Sequence, residues 1–191
     1  GTDSVTAGAG NDVINAGDGN NTVDAGAGNN TVITGTGADV ITTGDGANNI
    51  DTGAGADSVT TGAGADSIVA GAGNDTVSSG AGDDYIDAGA GADSVVAAAG
   101  NDTLVFDAAD QIIDGGTGIN VLKINDSTVD LTTIADALAT NFQVIDLTNS
   151  AVTNLTLGQA DVAALLPTGV TTLYIKGDTT DRVVLRDKFV G

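Results

Sequence analysis

One aliphatic residue returns at every ninth position, from Val5 through Ile14, Val23, Val32, Ile41, Ile50, Val59, Ile68, Val77, Ile86 and Val95 to Leu104. Its neighbours are mostly Ser, Thr, Asn, Asp or Val. This is the alternation of a half-buried strand about three residues long, whose middle side chain turns inward. A disordered spacer of Gly, Ala and Asp would bury little apolar surface and would have no reason to keep a period. The phasing therefore predicts a repeated strand-and-turn unit.

Glycine supplies the turns. If the acidic residue of each unit is place six of nine, the aliphatic is place eight, and the register runs unbroken from Ala7 to Val105. Place four is Gly in every copy from Gly10 to Gly100, and place two is Gly from Gly8 to Gly89, then Ala98. Place one holds Ala, Thr or Ser, as at Ala70, Ser79 and Ala88, so the turn should keep it in an ordinary L-residue conformation.

Charge changes the picture more than composition does. All 26 acidic residues are Asp and the net charge is −21, which excludes a nucleic-acid binder. Asp favours turns and caps, whereas Glu favours helix interiors. The five basic residues, Lys123, Lys176, Arg182, Arg186 and Lys188, all lie after residue 107, while residues 1–107 carry 16 Asp and no base. The missing partner is a cation from solution.

There is no Cys, so no disulfide stabilises the chain, and no His. Neither a Ser/His nor a Cys/His nucleophile pair can be assembled, and adjacent Asp83 and Asp84 should point to opposite faces of extended backbone. The expectation is a protein that is not an enzyme. No apolar run reaches the length of a membrane span, and no secretion leader is visible. Gly1, Asp3 and Val5 are already in phase with the repeats after them, so the chain is expected to be a piece of a longer protein.

The unit resembles the RTX nonapeptide, Gly-Gly-x-Gly-x-Asp-x-U-x with U aliphatic, over residues 1 to about 107. The resemblance implies an all-β fold, a right-handed parallel β-roll with 18 residues per coil, in which residues 18 apart stack one strand spacing apart. It also implies calcium. That ion accepts six to eight oxygens from carboxylates and carbonyls alike, whereas zinc prefers Cys and His and magnesium demands a stricter octahedron. Burying one aliphatic side chain in nine offsets too little of the ordering entropy, and stacked carboxylates repel one another.

Stacking divides place six into two ladders. One runs Asp3, Asn21, Asp39, Asp57, Asp75, Asp93, the other Asp12, Asn30, Asn48, Asp66, Asp84, Asp102. An ion of the family type takes a carboxylate from each of two adjacent rungs. Five pairs qualify for strong sites: 39/57, 57/75, 75/93, 66/84 and 84/102. The family implies backbone carbonyl ligands as well, here from Gly53, Gly55, Gly62, Gly64, Gly71, Gly73, Gly80 and Gly82. Pairs containing Asn, and those reaching Asp3 or Asp12, should be weak or empty. A single Asp could simply cap a turn, as Asn21, Asn30 and Asn48 should.

After residue 107 the period breaks. An imperfect echo, Gly115 to Lys123, puts Asn120 at the acidic place, where a metal is not expected. "NVLKIN", "FQVIDLT", "TTLYIKG" and "DRVVLRD" read as strands. "LTTIADALATN", starting near Thr132 or Thr133, and "LGQADVAALLP", starting near Gly158 and stopped by Pro167, read as short helices. Residues 108–191 are thus expected to be a β-rich cap with two helices, covering the open edge of the 1–107 roll.

"NFQVIDLTNSAVTNLTLGQADV" is similar to segments that come after RTX repeats in very large secreted bacterial adhesins. With the RTX resemblance it implies an extracellular, calcium-folded structural module of a surface adhesin. Such a parent would be handled by type I secretion machinery, without membrane insertion. The alternatives are a self-assembling S-layer protein and the C-terminal RTX region of a secreted enzyme.

Overall fold

The structure is a computed structural model and describes residues 1–133, 139–148 and 154–186. Two parallel sheets are filled alternately by the chain. One has eight strands, Ser4–Ala9, Thr22–Ala27, Val40–Thr43, Ser58–Thr60, Thr76–Ser78, Ser94–Val96, Ile112–Asp114 and Ala139–Thr140. The other has nine, Val13–Gly17, Thr31–Thr34, Asn49–Asp51, Ser67–Val69, Tyr85–Asp87, Thr103–Phe106, Val121–Ile124, Val144–Asp146 and Tyr174–Lys176. Strands in the repeats pair in register with residues 18 further on, as Val59 with Val77 and Ile68 with Ile86. Two nonapeptides therefore make one coil of a parallel β-solenoid.

Place eight fills the space between the sheets: Val23, Val32, Ile41, Ile50, Val59, Ile68, Val77, Ile86, Val95 and Leu104 are all buried. Place one joins them, because Ala70, Ala88 and Ala97 also point into this core. Where place one is polar, its hydroxyl is mostly satisfied along the stack, as Thr34 Oγ1 donates to Thr52 O at 2.8 Å and Thr52 Oγ1 to Ala70 O at 2.8 Å, whereas Thr43 Oγ1 is buried without a partner. Small inward side chains explain why place one is not glycine. As expected it keeps negative φ, and the left-handed positions fall at places two and four. Ala98, which replaces the place-two glycine, is held at φ 73°.

The composition changes at residue 107, but both ladders run on. Ile113 stacks on Val95, Leu122 on Leu104, Ile145 on Leu122 and Ile175 on Ile145. The core there takes larger side chains, including Phe142, Leu147, Leu155 and Leu157. A third parallel sheet, Thr128–Asp130, Asn154–Leu157 and Arg182–Leu185, lies alongside. All four predicted strands are present in this region.

The helix expectation is corrected. The described residues hold one α-helix, Gln159–Leu165, not two. It begins after Gly158, whose N–H donates to the buried Asp161 carboxylate. The other segment makes a 3-10 turn at Leu131–Thr133, and residues 134–138 lie outside the described residues. Ala139–Thr140 then pairs with Ile113–Asp114, because an open parallel edge offers those backbone groups partners that outweigh local helix propensity. Among the described residues no helix is long and apolar enough to cross a membrane.

Candidate metal-binding ladders

The turns along the two edges of the solenoid stack as closely as the strands do. Ala72 N donates to Gly53 O at 2.9 Å, Ala81 N to Gly62 O at 3.1 Å, Ala90 N to Gly71 O at 2.7 Å and Ala99 N to Gly80 O at 3.0 Å. The place-four carbonyls of Gly55, Gly64, Gly73 and Gly82 accept no hydrogen bond among the described residues. Place four must be glycine for two reasons. At Gly73 φ is +153°, and a Cβ would lie 1.5 Å from Gly55 O of the preceding coil.

Place six of each turn points inward beneath these carbonyls. Asp39, Asp57, Asp66, Asp75, Asp84, Asp93 and Asp102 are all buried. Each reaches back to the preceding rung with Oδ1. Asp39 N donates to Asp57 Oδ1 at 2.8 Å, Asp57 N to Asp75 Oδ1 at 2.8 Å and Asp75 N to Asp93 Oδ1 at 2.7 Å. On the other edge Asp66 N donates to Asp84 Oδ1 at 2.8 Å and Asp84 N to Asp102 Oδ1 at 2.9 Å. The second oxygen is orphaned: Oδ2 of all seven, and of Asp12, is buried without a hydrogen-bond partner. A buried carboxylate oxygen with no proton or cation facing it carries a large desolvation cost.

The Asn rungs show what that oxygen faces. Asn48 Nδ2 donates to Gly46 O at 2.9 Å, Gly44 O at 3.3 Å and Asp66 Oδ1 at 3.0 Å. Asn21 Nδ2 and Asn30 Nδ2 donate to Gly17 O at 2.8 Å and Gly26 O at 3.2 Å. By the repeat, the position of that amide nitrogen falls to Oδ2 wherever the rung is Asp. With the surroundings seen at Asn48, that oxygen would meet acceptors only: two glycine carbonyls of its own turn and the next rung's carboxylate. Four oxygens around one point, two of them anionic, suit a hard divalent cation. Among the described residues no three acidic, His or Cys side chains converge, so the carbonyls must complete each ligand set.

Electrostatics agree with this geometry. Desolvation first, then the charges of neighbouring rungs, pushes the carboxyls of Asp75 and Asp84 up to about 6. Burial also raises those of Asp57, Asp93 and Asp102. A folded-state value above the unfolded one means that the metal-free roll binds more protons than the unfolded chain, so its stability rises as pH falls through 6 toward 4. Lowering the pH of chelated protein from 7 to 4.5 should restore part of the far-ultraviolet β signal. The same protons should weaken cation binding. A chelated chain indifferent to pH over that range would contradict this account.

Four copies of the RTX calcium-binding nonapeptide repeat match the chain, at residues 1–32, 24–59, 33–68 and 69–104. The chain belongs to the RTX calcium-binding repeat family. No curated protein and no solved structure matches it closely enough to serve as a comparison. RTX repeats bind calcium, and the β-roll they form here is a calcium-binding module.

Within this RTX roll the structure brings together the seven aspartates and eight glycines that the sequence singles out. Each pair of glycines lies four and two residues before its Asp, as Gly71 and Gly73 do before Asp75. The same spacing assigns Gly35 and Gly37 to Asp39, a pair the sequence reading overlooked although the period contained it. Asp3 is exposed, with the N-terminal amine 4.0 Å away. Asp12 resembles the stronger rungs in having an orphaned Oδ2, but its next rung is Asn30. At Asn120 the amide is satisfied within the chain: Nδ2 donates to Gly115 O at 2.7 Å and Asn141 O at 3.0 Å. Beyond the repeats the chain supplies its own cations, with Lys176 Nζ 3.0 Å from Asp146 Oδ2 and Arg186 3.6 Å from Asp130.

An Asn rung thus supplies, from its own amide, the hydrogens that the neighbouring carbonyls lack at an Asp rung. Asp75→Asn should bind two ions fewer than the parent, because it serves pairs 57/75 and 75/93. In chelator it should be more ordered than the parent, since its amide can donate to the Gly71 and Gly73 carbonyls. Asp12→Asn should change the bound-ion count by at most one. Equal counts for the two variants would refute the ladder assignment.

Proposed function

We propose that this chain is a calcium-triggered structural module, rather than a catalytic one, of a secreted bacterial surface adhesin. Calcium lies between consecutive Asp rungs at 39/57, 57/75, 75/93, 66/84 and 84/102, held by two carboxylates and the carbonyls of the intervening glycine turn. The observation that carries this reading is the row of buried Oδ2 atoms with no partner, each placed where an Asn would present an amide. Calcium supplies the positive charge that lets these oxygens approach one another, and nothing in the site calls for redox or acid–base chemistry.

The charge distribution supports the secretion context. Sixteen Asp and no base in residues 1–107 hold the chain open where calcium is scarce. External calcium then neutralises the ladders and couples folding to arrival outside the cell. A Cys-free chain suits export in the unfolded state, and the similarity of residues 141–162 to segments of large adhesins favours attachment over catalysis.

Calorimetric titration of the chain at neutral pH tests the metal assignment: saturable binding of several calcium ions is expected, with magnesium a poor competitor. Absence of binding would overturn it. For the parent protein, calcium-dependent attachment to surfaces is expected. Calcium-driven two-dimensional assembly would point instead to an S-layer role.

A further inference from the structure

The ladder of Asp39, Asp57, Asp75 and Asp93 does not end where the nonapeptide repeats end. The residue 18 beyond Asp93 is Gln111, and its side chain is exposed. Its backbone keeps the register, since Gln111 N and Ile112 N both donate to Asp93 O, at 2.8 and 3.2 Å. The inward position is filled by Asp110, one residue out of phase and only 5% exposed.

A short turn locks Asp110 in place. Asp110 N donates to Asp107 O at 3.1 Å, Asp107 N donates to Asp110 Oδ2 at 2.9 Å, and Ala109 N donates to Asp107 Oδ1 at 2.8 Å. The other oxygen, Oδ1, is buried and has no partner, as is Oδ2 of the fully buried Asp93. The hydrogen bond from Gln111 N to Asp93 O sets the adjacent Asp110 on the rung next to Asp93, so the two aspartates are neighbours along this edge. The carbonyls of Gly89 and Gly91, which complete the Asp93 turn, accept no hydrogen bond among the described residues. The last turn of this edge thus carries two buried carboxylate oxygens and two glycine carbonyls without a hydrogen-bond partner among the described residues.

We propose that Asp93 and Asp110 hold a further calcium ion, a terminal site that takes one carboxylate from outside the repeats and raises the count of two-carboxylate sites from five to six. The site caps its ladder with a cation. The opposite ladder is closed by an amide, with Asp102 N donating to Asn120 Oδ1 at 2.9 Å. Both ends stop the accumulation of carboxylates, one by neutralising the last pair and the other by discarding a charge. Asp110 is invisible to the nine-residue period because a two-residue turn, Ala108 and Ala109, shifts it out of register.

This inference rests on the calcium reading of the repeat ladders, and its test keeps the two apart. Asp110→Asn retains an oxygen for the Asp107 N–H, so a role limited to capping the turn would leave the variant unchanged. The proposal requires it to bind one calcium fewer per chain by equilibrium dialysis at saturating calcium, with Gln111→Ala binding as many as the parent. An unchanged count for Asp110→Asn overturns it. Anomalous scattering from terbium-substituted crystals of the unaltered chain provides a second measurement that needs no variant. A peak between Asp93 and Asp110 beside those at the repeat pairs is expected. Peaks at the repeat pairs alone overturn the terminal site and leave the calcium reading standing, while no peaks at either overturn both.

Discussion

Chelating calcium at neutral pH should collapse the far-ultraviolet β signal of the repeats to that of an unfolded chain, and restoring millimolar calcium should return it cooperatively. The expectation comes from the demands the folded state makes of its carboxylates. Eight ladder aspartates keep a buried oxygen without a partner, and neighbouring rungs raise one another's proton affinity at Asp75 and Asp84. Each such oxygen costs on the order of 1–3 kcal/mol even when its partner is merely missing, and more when it is charged. A domain of this size is stable by only about 5–15 kcal/mol. The aliphatic seam contributes one side chain in nine residues and cannot cover a deficit of that kind. Ions that bind the folded state and not the open chain reverse the balance by mass action. Magnesium should restore little of the signal, because its small octahedral shell suits neither the carbonyl-rich turn nor the rung spacing. A β-roll that keeps its full spectrum in chelator at pH 7 would sink this explanation.

Gly73→Ala should raise the calcium needed for half-folding more than tenfold and lower the fully loaded stability by several kcal/mol. The new methyl would sit 1.5 Å from Gly55 O at a φ of +153°. Forcing an L-residue into that region costs about 1–3 kcal/mol by itself. Relieving the overlap must also push apart the two turns whose aspartates, Asp57 and Asp75, form one of the proposed ion-binding pairs. Gly8→Ala is the matched control: φ there is not left-handed and a Cβ would meet nothing within 4 Å, so its calcium midpoint should stay within about twofold of the parent. A Gly73→Ala midpoint no higher than that of Gly8→Ala would show that the turns are not packed as tightly as described.

Much of this was readable from residue order because a solenoid turns a local period into a three-dimensional one. Once Val59 and Val77 are known to share a face, stacking places Asp57 over Asp75 and Gly53 over Gly71 without further information. The self-sufficient Asn rungs were legible too, since an amide keeps the shape of a carboxylate and carries its own hydrogens. The direction of each carboxylate was not. That Oδ1 reaches back to the preceding rung, leaving Oδ2 among carbonyls, depends on the distance between stacked turns.

Residue order alone determined the inward row, the glycine turns, and which turns carry a carboxylate from both rungs, because each is a consequence of a nine-residue phase and of side-chain chemistry. Only the tertiary structure decided that the sheets continue past residue 107, that Ala139–Thr140 joins an edge as a strand, and that Asp110 succeeds Asp93 in the ladder. Those outcomes rest on which backbone groups and buried oxygens find partners across distant stretches of chain, and no local pattern of side chains encodes that.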